Sequence, residues 1–98
     1  MDCNQTVICG EIMEMASLRY TPAGVAIAEF KINHASRQME AGHEREVACE
    51  LSAVALAQLA ERIVRMSPGI RVKLAGFLAR KSRMSLQLVL HVHNLEHF

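Results

Sequence analysis

The chain has no tryptophan, one tyrosine and three phenylalanines among 98 residues. Base-stacking side chains are therefore scarce, and a ligand clamped between aromatic rings has few candidates. The three cysteines, Cys3, Cys9 and Cys49, are odd in number and show no CxxC spacing. That argues against a disulfide framework or a zinc site and fits a reducing cytoplasm. No run approaches about eighteen apolar residues, so no transmembrane helix and no membrane partner are expected. The opening MDCNQTVICGEIME lacks a basic n-region and a long apolar stretch, so it does not read as a signal peptide. There is no repeat, low-complexity tract or linker, and a chain this short is expected to form one domain, 1–98. Its hydrophobic content of 51% excludes disorder.

Charge of one sign is missing from a long segment. Residues 62–95 hold seven Lys and Arg and no acid, whereas residues 1–61 hold four cations against nine acids, a net −5. The whole chain is nonetheless only +1. A segment of +7 repels itself, so it is expected to face something negative, either a polyanion or the acidic half of its own fold.

Hydrophobic period gives the elements. A first strand, about 5–15, carries Val7, Cys9 and Ile12, with Gly10 marking a bulge. The turn chemistry of Thr21 to Gly24 breaks the chain. A second strand, about 25–35, turns Ala26, Ala28, Phe30 and Ile32 one way and Glu29, Lys31 and Asn33 the other. Polar residues 36–44 read as a hairpin loop. A third strand, about 45–52, alternates Val47, Cys49 and Leu51 with Glu46, Ala48 and Glu50, and Cys9 and Cys49 read as small core residues. The period then changes. Leu56, Leu59, Ala60 and Ile63 recur at i, i+3, i+4 and i+7, which predicts an amphipathic helix with Ser52 as its N-cap, stopped by Ser67-Pro68-Gly69. A fourth strand, about 70–79, carries Ile70, Val72, Leu74 and Leu78 inward and Arg71, Lys73, Ala75 and Phe77 outward. A fifth, about 84–96, sets Leu86, Leu88, Leu90 and Val92 against Val89, His91 and His93.

Three strands, one helix and two strands make the layout of an all-β, five-stranded OB-fold, a Greek-key barrel with one short α-helix between its third and fourth strands. Another small barrel is the alternative. OB-folds hold oligonucleotides on the face of the second and third strands, between the 1–2 and 4–5 loops. Arg80, Lys81 and Arg83 fall in the 4–5 loop, and Arg19 and Tyr20 in the 1–2 loop. Lys31 and Arg37 come from the second strand and the loop after it, and Arg71 and Lys73 from the fourth strand. Cations on two loops can clasp a phosphate chain from both sides; the plainer reading is that they solubilise a hairpin tip. Of the four aromatic residues, Phe30 reads as core and Phe98 as terminal, which leaves Tyr20 and Phe77. Phe77 serves either as a stacking platform or in a subunit interface, and the interface is preferred. Glu46 and Glu50 on the third strand repel phosphate. Any binding is therefore expected to rest on charge and to weaken with salt.

The segments NQTVICGEI, RYTPAG, AEFKINHAS, VACEL and VKLAGFLARKSRMSLQLVLHVHNLE, in this order and spacing, resemble the primosomal replication protein N (PriB) family, relatives of single-stranded DNA-binding protein. The resemblance covers about residues 4–96. It implies a homodimeric OB-fold adaptor of the bacterial replication-restart primosome, in the cytoplasm. Its implied partners are single-stranded DNA, the restart helicase PriA and, where present, DnaT. By position, Arg19 matches a basic residue of the family's 1–2 loop, and Arg80, Lys81 and Arg83 match its basic 4–5 loop. Ala48 stands where the best-known members put a Trp, Ala35 where they put an Arg, and His43 where they put a loop Phe.

No catalytic set emerges. Glu11 and Glu14, three apart on a strand, point to opposite faces. Ser and His residues form no nucleophile–base pair by spacing, and the glycines form no phosphate loop. His91 and His93 alternate on one face without a third ligand, so no metal and no cofactor is expected. A non-catalytic DNA-binding adaptor is therefore the first reading. A protein–protein module with weak or vestigial DNA binding is the second, and a small enzyme the third.

Overall fold

The computed structural model describes residues 1–15 and 18–97, so Phe98 lies outside it. The elements run β1 (Thr6–Met15), β2 (Arg19–Tyr20), β3 (Ala26–Glu40), β4 (His43–Leu56), α1 (Gln58–Ile63), β5 (Arg71–Arg80) and β6 (Leu88–His97). β1 pairs antiparallel with both β3 and β5, β5 with β6 and β3 with β4, while β4 and β6 run parallel at Ala53–Leu90 and Val54–His91. These five strands form a closed OB-fold barrel, as the sequence predicts, and β2 adds a short flap on β3.

The alternation in β3 does what it predicts: Ala26, Ala28, Phe30 and Ile32 are buried. They meet Ala53 and Ala55 of β4, Ile12 of β1, Val72 and Leu74 of β5, and Leu90, Val92 and Leu95 of β6. Small alanines on two adjacent strands let the barrel close tightly around the branched side chains. From α1, Ala60 and Ile63 enter the same core.

Several sequence expectations are corrected. In β1 the inward side chains are Ile8 and Ile12, so Ile12 is in the core as expected, while Val7 and Cys9 point outward and are exposed; the first half of the strand is one residue out of the expected phase. Gly10 is not the bulge. The register shift falls between Ile12 and Glu14, and Gly10 instead lets β1 approach β3, since a Cβ there would sit 2.8 Å from the Asn33 carbonyl oxygen.

Residues 36–44 are not a loop. β3 continues to Glu40 and β4 starts at His43, joined by the two-residue turn Ala41-Gly42 with φ of 52° and 81°. Two positive φ values are the type I′ geometry whose twist matches a hairpin. The result is a β3–β4 arm that extends past the barrel and stretches the molecule to 50 × 34 × 21 Å. Cys49 lies on this arm, where no second layer covers it, and is exposed.

The helix is shorter than its periodicity predicts. Ser52 and Leu56 belong to β4, and Ser52 caps nothing. The N-cap is Ala57, at φ 56°, with no side-chain hydrogen bond. β6 begins at Leu88, so Leu86 falls in the preceding loop, and both are exposed, not inward.

Candidate nucleic-acid interface

Strand alternation sends odd-numbered residues of β3 outward and even-numbered residues of β4 outward beside them. Ile27 pairs with Leu56, Glu29 with Val54 and Lys31 with Ser52. β6 extends this wall with Val89 and His91, because Val54 is the parallel partner of His91. The wall is the floor of a cleft of about 520 Å³, rimmed by Arg19 from β2, Glu14 from β1 and Lys81 from the β5–β6 loop.

Three predicted site residues, Arg19, Lys31 and Lys81, therefore converge here from three elements. β2 places Arg19 opposite Ile27, and the Arg19 guanidinium pairs with Glu29. The β5–β6 loop holds Lys81 at the rim. Its backbone N–H donates to the Gln87 carbonyl at 2.9 Å, which closes the neck of the loop. Tyr20, beside Arg19 in the strand, is exposed and does not line the cleft. Arg80 and Arg83 flank Lys81, the first as the last residue of β5 and the second in the loop.

The other predicted cations are spread away from the cleft. Arg71 and Lys73 sit at the far end of β5, about 30 and 23 Å from Arg80 at roughly 3.3 Å per residue. Arg37 shares the outward face with Lys31 but lies about 20 Å along β3, on the arm. Between them Asn33 pairs with Glu50 and Ala35 with Ala48, a stretch with no ring and one carboxylate.

The electrostatics divide the cations into two groups. Arg19 pairs with Glu29, Arg37 with Glu44 at 2.9 Å and Glu46 at 3.4 Å, and Arg71 with Glu11 at 3.5 Å. Lys31, Lys73, Arg80, Lys81 and Arg83 make no ion pair among the described residues. The basic β5–β6 loop is thus not neutralised by the acidic half of the chain. Of its three unpaired cations Lys81 alone lines the groove, and Arg80 and Arg83 lie beside it in the chain without lining the groove themselves; unpaired charges attract a polyanion without competition from a carboxylate.

Sequence reasoning missed Glu14, Glu29, Ile27, Val54, Leu56, Val89 and His91 as cleft residues. Glu29 carried a signal, since it alternates with Lys31 on the outward face. His91 was paired in sequence with His93, but the two line different hollows; His93 borders a shallow one with Asp2 and Asn4. Phe77 stacks on His91, with ring centroids 5.0 Å apart and planes within 4°.

Comparisons with known proteins agree with this geometry. Residues 4–94 match a family described as another single-strand binding protein family. The chain is 52% identical over 91 residues to the replication restart protein PriB of Nitrosomonas europaea, covering 93% of this chain and 84% of that one. It is 34% identical over 95 residues to PriB of Neisseria meningitidis serogroup C, covering 97% and 94%. The solved structure of PriB from Ralstonia solanacearum superposes with a TM-score of 0.88 at 34% identity, covering 96% of both chains. Wild-type single-stranded DNA binding protein from Thermus aquaticus shares the fold, with a TM-score of 0.74 at 23% identity over 97% of this chain and 50% of that one.

Proposed function

The chain belongs to the replication restart protein PriB family, among the single-strand binding proteins, and on that premise we propose that it binds single-stranded DNA as a non-catalytic adaptor of the bacterial restart primosome. The observation that carries this reading is the cleft on the outward face of β3, β4 and β6, with Arg19, Lys31 and Lys81 around it. A single strand lies on that face, and the unpaired Arg80, Lys81 and Arg83 neutralise its phosphates. Arg71 and Lys73 take no first-contact role in this arrangement, and Arg37 and Tyr20 engage only a strand long enough to leave the cleft. The adaptor acts as a cytoplasmic homodimer that engages the helicase PriA, and DnaT where that protein exists. For the dimer, the exposed Val7 on the outward face of β1 is the apolar contact that a second copy would cover. Light scattering at micromolar concentration should report twice the monomer mass; a monomer removes that part of the reading.

Fluorescence anisotropy with oligonucleotides of about 15–35 nucleotides tests the binding. With roughly three to five phosphates neutralised, log K against log salt should slope at about −2 to −3.5. Changing Arg80, Lys81 and Arg83 together to Ala should flatten the slope by about 2 and weaken binding to all base sequences alike. A wild type that does not bind, or a triple variant that binds as wild type does, overturns the assignment.

A second reading rests on the ion pairs. Arg19, Arg37 and Arg71 are each engaged by a carboxylate, which lowers the charge available to DNA and favours a protein–protein module with weak DNA binding. Capture of PriA by the triple variant at wild-type levels, with DNA binding lost, supports separate surfaces and this second role.

A further inference from the structure

The cleft lacks a tryptophan, yet it does not lack a planar ring. We propose that His91, backed by Phe77, is a base-stacking platform in the wall of the cleft; the inference deepens the single-strand reading above and rests on it.

The platform is built by a one-residue irregularity in the β5–β6 ladder. Ala75 pairs with Asn94, but Gly76 pairs with Val92, so the register shifts by one residue between them. A shift of one residue exchanges the faces of a strand. It explains why Leu95 and Val92, three apart, both point into the core, and why His91 comes to lie outward and directly opposite Phe77. Gly76 is required at that point. A Cβ on it would overlap the carbonyl oxygen of His91, so only glycine lets β5 approach β6 closely enough to bring the two rings together.

The rings are nearly parallel, and their 5.0 Å separation is that of an offset stack. Phe77 covers one face of the imidazole and does not itself line the cleft, whereas His91 does. Phe77 thereby fixes the histidine rotamer and orients the ring before any ligand arrives, which reduces the ordering cost of stacking. Val54, Val89 and Leu56 surround the site with apolar surface, and Lys31 and Lys81 supply charge beside it. Every nucleobase has a flat π-face, so a platform of this kind is indifferent to sequence. The ligand class is therefore an unpaired nucleotide, with its base on the imidazole and its phosphate toward the lysines.

The test compares a dT oligonucleotide with one of equal length whose nucleotides are abasic, by anisotropy at fixed salt. The wild type should bind dT about tenfold more tightly than the abasic strand, the effect expected of one stacked base. His91→Ala should remove that preference while leaving the affinity for the abasic strand and the salt slope unchanged. His91→Phe should restore the preference, which separates stacking from any hydrogen bond made by the imidazole. Phe77→Leu should narrow the gap by roughly threefold, because it keeps apolar volume but leaves the ring unsupported. Equal wild-type affinity for the two strands overturns the platform and leaves the single-strand reading standing. An equal loss on both strands in His91→Ala also overturns it, by assigning His91 to phosphate. Failure of the wild type to bind either strand overturns both proposals. Far-ultraviolet circular dichroism on each variant confirms that the barrel is intact.

Discussion

The two halves of the β3–β4 hairpin share one ladder and one register, but different forces hold them. In the barrel half, Ala28, Phe30 and Ile32 oppose Ala55, Ala53 and Leu51, and all but the half-buried Leu51 are buried. In the arm half, from about His34 to Cys49, both faces are mostly open to water. There the stabilising contacts are the ladder itself, the Ala41-Gly42 turn, the His34 ring bridging the Cys9 carbonyl and the Ser36 hydroxyl, and exposed ion pairs, Arg37 with Glu44 and Glu46 and Arg45 with Glu40. A hairpin alone is marginal in water, so the arm depends on the barrel half to set its strands in register. The barrel half does not depend on the arm. That asymmetry can be broken or sharpened by four changes placed from the base of the hairpin to its outer face.

The largest effect belongs to Ile32→Ala. Ile32 is fully buried and packs across from Ile12. Truncation should cost about 2–5 kcal/mol, read as a lower urea midpoint at unchanged m. Because the arm takes its order from this layer, amides of the arm should lose exchange protection together with those of the barrel. A loss below about 1 kcal/mol would mean that the arm, and not the core, carries the hairpin.

Gly10→Ala comes next. The added Cβ would press on the Asn33 carbonyl and on Ile32, where the hairpin leaves the barrel. Overpacking against backbone should cost about 1–3 kcal/mol in the same urea experiment. Gly42→Val should cost about 1–2 kcal/mol, since a β-branched residue is strained at φ 81°. Here the pattern matters more than the size. Hydrogen exchange should accelerate in the arm and stay unchanged at Phe30 and Ala53. Equal acceleration in both halves would break the comparison and make the hairpin one cooperative unit.

The same division decides what the sequence reveals. The barrel half of β3 is legible because a buried layer imposes a period of two, and Ala26 to Ile32 obey it. The arm is illegible because water on both faces imposes no period, so polar residues 36–44 look like a loop. The end of β4 misleads for another reason. In SAVALAQLAERI, alternating alanines satisfy a strand while Leu56, Leu59, Ala60 and Ile63 satisfy a helix; the turn at Ala57 arbitrates, and its positive φ leaves no mark in residue type. The phase of β1 is hidden because Gly10 occupies an inward position without a side chain to show it. For the cleft, residue type and order point to Lys31, Lys81 and Arg19, and the barrel layout brings them together. The partnership of Phe77 with His91 depends on a register shift that no local pattern announces.

The smallest effect on stability, and the one that links the arm to binding, belongs to the double change Glu44→Gln and Glu46→Gln. These two carboxylates hold Arg37, and all three groups are more than half exposed, so water already screens the pairs. Their loss should change stability by less than about 1 kcal/mol. The consequence for DNA is different in kind. Arg37 lies on the same outward face as Lys31, so a strand running from the cleft along the arm meets it once it is free. The salt slope should then steepen by about 0.7, the signature of one further phosphate on a single strand, and affinity at low salt should rise severalfold. A short oligonucleotide that fills only the cleft should show no change in slope. If long and short strands respond alike, the gain comes from the lower overall negative charge of the arm, and the DNA path ends at the barrel. If only the long strand gains, the ion pairs on the arm limit the length of strand the protein can hold, and the exposed half of the hairpin has a reason to keep carboxylates that contribute little to the fold.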